Sequence, residues 1–378
     1  MSVKIANLYG RIIKDSKNEK TIEVELLTDS DKKFISSCPS GESRGSKEAA
    51  LVDPDVGVEN INNNIATELI DYEFEDIKEL DNKLLDLDGT ENKSKLGANA
   101  ILPISISAIK ALADSNNKQL WKFISEYINC QPSLPMPMMV MIEGGKHSYY
   151  KGVKWQEYLL NSDDIENGTK FLKLLKNYLE NNKIAFQQGF EGGYSIDAKT
   201  SQEALDIFLE ILSQINQNLT FSLDIAATHF CISNDEINQL ITIPALATIE
   251  DPAQEEEWDS WKNIVDKYGD KKKFIGDDLI VTNYNCLKKA IELKACQGLI
   301  IKPNQIGTVS QTLQVAKLAT EANLIKIVSH RAKDTKDDFI ADLAVGIGAQ
   351  YIKSGAPTQP ERIAKYNRLE KIKQNFEV

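Results

Sequence analysis

At 378 residues, with 42% hydrophobic and 26% charged side chains, the chain has room for one small and one large folded domain. A formal net charge of −12 argues against a nucleic-acid partner, which needs a basic patch. No apolar run approaches the roughly 20 residues of a membrane span. The five cysteines (Cys38, Cys130, Cys231, Cys286, Cys296) are scattered without a CxxC pair, and the start "MSVKIANLYGRIIKD" turns polar too soon for a signal peptide. A cytoplasmic location with reduced thiols is therefore expected.

The first elements read as α+β. Alternation in "TIEVELLT" (21–28), with "KIANLYGRII" before it and "KKFISSC" after, predicts a small antiparallel sheet. Helical periodicity follows in 57–70, 73–87, 98–114 and 118–128. Three prolines in "QPSLPMPMM" (131–139) suggest a domain junction, giving an N-terminal α+β domain over 1–130 and a second domain over 131–378.

Beyond residue 140 short apolar runs alternate with helix-length stretches: "TFSLDIAA", "ALATIEDP", "KFIGDD", "GLIIKPN", "IKIVSHR" and "AQYIKSG". Alternation of this kind predicts βα units and a parallel sheet. Each run ends in a polar residue: Asp224, Glu250, Asp277, Lys302, Ser329-His330 and Lys353. Their separations are 26, 27, 25, 27 and 24 residues, close to one βα unit each. A doubly wound sheet would split such ends around a switch point, so six in succession favour a closed β/α barrel with its polar ends on one face. The chain has no GxGxxG or GxxxxGK phosphate fingerprint.

Three carboxylates on successive strands, Asp224, Glu250 and Asp277, can converge on one point. Such oxygen ligands suit Mg²⁺, although any one acid could simply cap the following helix. Lys302 and Lys353 lie further round the same face. They could form ion pairs with these acids, or one could act as a base if its pKa falls to about 7–8. Arg331, in "SHR", could grip a phosphate or carboxylate or form a surface ion pair. Glu191 in "GFEGGY" lies in a glycine-rich turn, and Gln156-Glu157 at a predicted strand. A pair such as Glu157 and Glu191 can hold one proton between them. His147 falls in a loop, and His229 reads as structural or exposed.

Several longer stretches are more specific. "LDGTENKSKLGANAI" (87–101), "TIEDP" (248–252), "GDDLIVTN" (276–283), "KPNQIGT" (302–308), "IVSHR" (327–331), "FIADL" (339–343) and "IKSGAP...ERIAKYN" (352–367) together closely resemble the enolase family, and "PSGESRG" (39–45) resembles its mobile loop. The resemblance implies a two-Mg²⁺ lyase that dehydrates 2-phosphoglycerate to phosphoenolpyruvate, on an enolase-type β/α barrel preceded by a smaller α+β domain. It matches Asp224, Glu250 and Asp277 to the ligands of the first Mg²⁺, and Ser43 to a serine that helps hold the second. Lys302 matches the base at C2 and Lys353 the lysine facing the substrate carboxylate. Glu191 matches the acid assisting loss of the C3 hydroxyl, with Glu157 beside it. His147, Gln156, Ser329, His330 and Arg331 fall at substrate-binding positions, Arg331 contacting the phosphate. A homo-oligomer, dimeric or higher, is also implied.

The chain departs from that pattern in places. Phe190 replaces an Asp before Glu191, Glu143 replaces an Asn before the paired glycines, and Ala332 replaces a serine after the Ser-His-Arg run. "HSYYKGVK" is bulky where the family loop is small, "DSKNEKT" (15–21) lacks a glycine and a proline, and the stretch from Asp224 to Glu250 is short. Two alternatives stand beside the lyase reading. One is a related lyase or epimerase on another carboxylic acid, and the other is a non-catalytic binding protein of the same fold.

Overall fold

A computed structural model describes residues 1–41, 45, 47–216, 218–230 and 232–376. Ser43 and Cys231 lie outside the described residues.

The N-terminal unit is a four-stranded sheet in the order β3-β2-β1-β4, built from β1 (Val3–Lys14), β2 (Lys20–Thr28), β3 (Lys33–Ser37) and β4 (Glu73–Phe74). Strands β1 to β3 run antiparallel, as the alternation predicts. One face packs on the helix Ala98–Ser115, whose residues 98–109 are all buried. The other predicted helices form as the run Pro54–Glu59, π-helical Asn60–Ile65 and Ala66–Leu69, and at Ile77–Asp88 and Leu120–Ile128, the last two each closed by a left-handed residue, Gly89 and Asn129. Gly89 has φ +68°, a conformation that costs other side chains energy and glycine none.

The second unit closes on itself. Its strands are β5 (Met136–Glu143), β6 (Glu157–Asn161), β7 (Phe186–Gln188), β8 (Tyr194–Ile196), β9 (Thr220–Asp224), β10 (Leu246–Glu250), β11 (Lys273–Gly276), β12 (Gly298–Ile301), β13 (Ile325–Ser329) and β14 (Tyr351–Lys353). Strands β9 to β14 are parallel, in sequence order, and β14 pairs with β5 to shut an eight-stranded barrel of β5, β6 and β9–β14. The six runs predicted as parallel strands all form. Strand β6 runs antiparallel to both β5 and β9. The β7–β8 hairpin attaches to β5 outside the closed ring.

Met138, Val140, Leu159, Ile275, Ile300 and Ile327 fill the barrel interior as a packed plug. Each branched side chain buried there contributes about 1.5–3 kcal/mol. With its centre filled, the barrel offers a ligand only its mouth, where the strand ends emerge. Among the described residues no helix is long and apolar enough to cross a membrane.

Candidate active site

Strand register builds the site. Glu143 pairs with Glu157, Glu157 with Asp224, and Asp224 with Glu250, so four adjacent strands carry a carboxylate at one level. Glu157 reaches this level because β6 is antiparallel, which brings its first residue to the face where parallel strands end. Ser329 pairs with Lys353 on the neighbouring strands β13 and β14. The resulting cleft is lined by His147, Gln156, Glu157, Glu191, Asp224, Asp277, Lys302, Ser329, His330, Arg331 and Lys353. Glu250 lies beneath it, joined to Lys353. All the proposed site residues are thereby brought together, Ser43 excepted as outside the described residues.

Lys353 is the electrostatic centre. Its Nζ lies 2.7 Å from Glu157 Oε2, 3.2 Å from Asp224 Oδ2 and 2.9 Å from Glu250 Oε2, all deeply buried. Burial penalises the ammonium, but these carboxylates outweigh it and hold the lysine charged. Lys302 Nζ forms an ion pair with Asp277 Oδ2. The sequence reading asks for a lysine whose pKa falls. Here desolvation does lower Lys302, yet Asp277 overcompensates and the net shift is upward. Thr282 and Gln305 order this corner: Lys302 N donates to Thr282 Oγ1, Thr282 to Gln305 Oε1, and Gln305 Nε2 to Asp277 Oδ1 at 3.0 Å.

Glu157 also belongs to a pair of glutamates. Oxygens of Glu157 and Glu191 and a ring nitrogen of His147 all lie within 4.8 Å of one another. Burial and the neighbouring Glu191 charge push Glu157 well above the usual carboxylate range. Burial also opposes charge on Glu191, but His330, His147 and Arg362 outweigh it, so Glu191 is the ionised member. The pair thus holds one proton between two acids.

The His330 tautomer follows from its neighbours. The Arg362 guanidinium, a donor only, meets Nδ1, leaving the proton on Nε2, 3.0 Å from Glu191 Oε2. Burial, then the positive charge of Arg362, push His330 down to about 4, so it is neutral near pH 7. Arg331 is held by a two-pronged ion pair with Glu48, at 2.9 and 3.2 Å, and donates to Asn304 Oδ1 at 3.0 Å.

The oxygen donor set fits a hard divalent cation. Buried carboxylates at the mouth outnumber the cations Lys302, Lys353, Arg331 and Arg362, and burial with the adjacent Asp224 charge pushes Glu250 well above its usual range. Oxygens of Asp251, Asp277 and Asp278 lie within 4.8 Å of one another, whereas Lys353 Nζ stands between Asp224 and Glu250.

Sequence reasoning missed several contributors. Asp251, the second acid of "IED", accepts from the backbone N–H of Asp277 and Asp278 and ties two strand ends together. The doubled acids in "IED" and "GDD" were the available signal. Arg362, fully buried in the helix Pro360–Gln374, also donates to the carbonyls of Arg331 and Ala332, both at 2.7 Å. In a helix charged on every side its signal is the stretch "ERIAKYN", which the family resemblance includes. His229, expected to be structural or exposed, is half-buried and lines the cleft.

Comparison with known proteins agrees with this geometry. The family model for the enolase N-terminal domain matches residues 5–124, and that for the enolase C-terminal TIM barrel domain matches 131–243 and 234–377. Enolases from two strains of Ureaplasma parvum serovar 3 are each 36% identical over 427 aligned positions, covering 99% of this chain and 97% of theirs. The alignment exceeds the 378 residues of the chain, so these relatives carry segments that it lacks. The two barrel matches overlap at 234–243, within the short β9–β10 connection. With both domains matched in order and relatives aligned along nearly the full length, the chain belongs to the enolase family.

Proposed function

We propose that this chain is a carbon–oxygen lyase that reversibly dehydrates 2-phosphoglycerate to phosphoenolpyruvate. The observation that carries the reading is the convergence, at one barrel mouth, of two lysines and a glutamate pair that holds one proton. Lys302, once neutral, takes the C2 proton, and the electron pair moves into the substrate carboxylate. Lys353, kept charged by its carboxylates, faces that group and offsets its growing negative charge. The C3 hydroxyl then leaves as water, taking a proton from the Glu157/Glu191 pair, as the C2–C3 double bond forms. His147, Gln156, Ser329 and His330 position the substrate, and Arg331 holds its phosphate.

Asp224, Glu250 and Asp277 would hold a first Mg²⁺, and Ser43 would help to hold a second. Ions bound there would supply positive charge to offset the negative charge growing on the substrate carboxylate, and would compete with Lys302 for Asp277. On the same family reading, the chain works in the cytoplasm as a homo-oligomer, dimeric or higher.

The test is to add 2-phosphoglycerate and Mg²⁺ to the purified chain and follow ultraviolet absorbance as the enol phosphate forms. A rise abolished by a chelator supports the reading, and no rise refutes it. A second reading, a lyase or epimerase acting on an unphosphorylated acid, draws on the Glu48 carboxylate seated on Arg331. Turnover of glycerate in preference to 2-phosphoglycerate would favour it.

A further inference from the structure

Glu143 ends β5 at the barrel mouth and is fully buried. The site derived above gives it no task. Its carboxyl lies beneath the 189–193 turn that carries Glu191. Glu191 N is 3.0 Å from both carboxyl oxygens, and Gly193 N donates to Oε1 at 2.9 Å. The turn closes tightly around this group: a Cβ on Gly189 would lie 2.4 Å from Glu143 Cδ. The intervening Phe190 turns its ring the other way, against Tyr149 and beneath Lys17. The inward N–H groups of Glu191 and Gly193 thus meet one side chain supplied by a different strand.

We propose that Glu143 is a positioning residue for Glu191, a carboxyl strut that fixes the backbone of the turn and so where the Glu191 carboxylate meets His330 and the substrate. The inference rests on the reading of Glu191 as part of the acid pair. Backbone anchoring matters there because Glu191 has little slack: its Oε2 is 3.0 Å from His330 Nε2 and its Oε1 3.8 Å from His147 Nδ1. A turn that drifts by a fraction of an ångström loses both approaches.

The charged and titratable groups facing Glu143 are Glu191 on the turn, Glu157 on the next strand and Arg362 from the C-terminal helix. Burial and the Glu191 charge push Glu143 up to about 8, so near neutral pH it is chiefly an uncharged acceptor. An amide of the same length can do that job, and a methyl group cannot.

The experiment compares Glu143→Gln, Glu143→Asp and Glu143→Ala with the unaltered full chain in two readouts. The first is turnover of 2-phosphoglycerate. Glu143→Ala and the shortened Glu143→Asp are expected to lose about 100-fold in kcat with KM nearly unchanged, while Glu143→Gln retains most of it. The second is hydrogen–deuterium exchange across 189–193, which needs no activity. The amides there should exchange faster in Glu143→Ala and Glu143→Asp, and at the original rate in Glu143→Gln. If the unaltered chain has no turnover, the lyase reading fails and the exchange rates alone judge the strut. Unchanged exchange in Glu143→Ala, or kcat lost equally in the Gln variant, overturns the proposal.

Discussion

Glu48 and Arg331 join the N-terminal domain to the barrel through a buried two-pronged ion pair, 2.9 and 3.2 Å long. A carboxylate therefore already sits on the guanidinium proposed to bind the substrate phosphate. Glu48→Ala removes a carboxylate from a buried cation and is expected to cost about 3 kcal/mol of stability, measurable by urea unfolding. Inorganic phosphate should recover more of that loss in the variant than it adds to the unaltered chain, because an anion replaces the missing partner. Equal stabilisation of both proteins by phosphate would remove Arg331 from the anion site.

The second prediction concerns Lys302. Its ion pair with Asp277 holds it in the charged form, so its use as a base requires that pair to loosen. Lys302→Ala is expected to abolish exchange of the C2 proton of 2-phosphoglycerate with deuterated water, while Mg²⁺ binding stays measurable by calorimetry. Normal exchange in the variant would refute the assignment of the base.

A third follows from His330, whose folded pKa of about 4 lies below the ordinary value of 6.5. A depressed pKa contributes stability that is present above about pH 6.5 and is lost as pH falls toward 4. The shift corresponds to about 3 kcal/mol across that window. His330→Asn should therefore unfold with a shallower loss of stability between about pH 6.5 and 4, read from urea midpoints. Parallel curves would mean that His330 does not change protonation on unfolding in this range.

These sites differ in how far the sequence disclosed them. Asp224, Glu250, Asp277, Lys302, Ser329 and Lys353 were legible because each stops a short apolar run at a regular interval, and parallel strands then gather such ends on one face. Glu157 was legible as an acid at a strand. That it starts that strand, and still reaches the mouth, depends on β6 being antiparallel, which alternation does not encode. Glu191 was legible as half of an acid pair, but its role at the C3 hydroxyl and the role of His147 came from the family resemblance, since a loop position carries no periodic signal. Glu143 was visible only as a departure from that family. Its contacts with Glu191 and Gly193 depend on the path of a turn 48 residues away. The upward shift of Lys302 was not legible either, because it follows from the packing of Asp277 against the ammonium.

The last prediction turns on Lys353, whose ammonium lies against Glu157, Asp224 and Glu250 within the barrel mouth. Lys353→Met keeps most of the side-chain volume and removes the charge, leaving three buried acids without their common partner. Breaking a buried network from one side costs about 3–5 kcal/mol, so the variant should melt well below the unaltered chain in chelator. Mg²⁺ should recover a larger share of that loss than it adds to the unaltered chain. Asp224 and Glu250, freed of a competing ammonium, bind a divalent cation more tightly, and tighter binding to the folded state raises the melting temperature further. A thermal melt at increasing Mg²⁺ concentrations measures both effects. If Mg²⁺ raises the two melting temperatures by the same amount, Lys353 and the ion do not share Asp224 and Glu250, and the proposed first metal position is wrong.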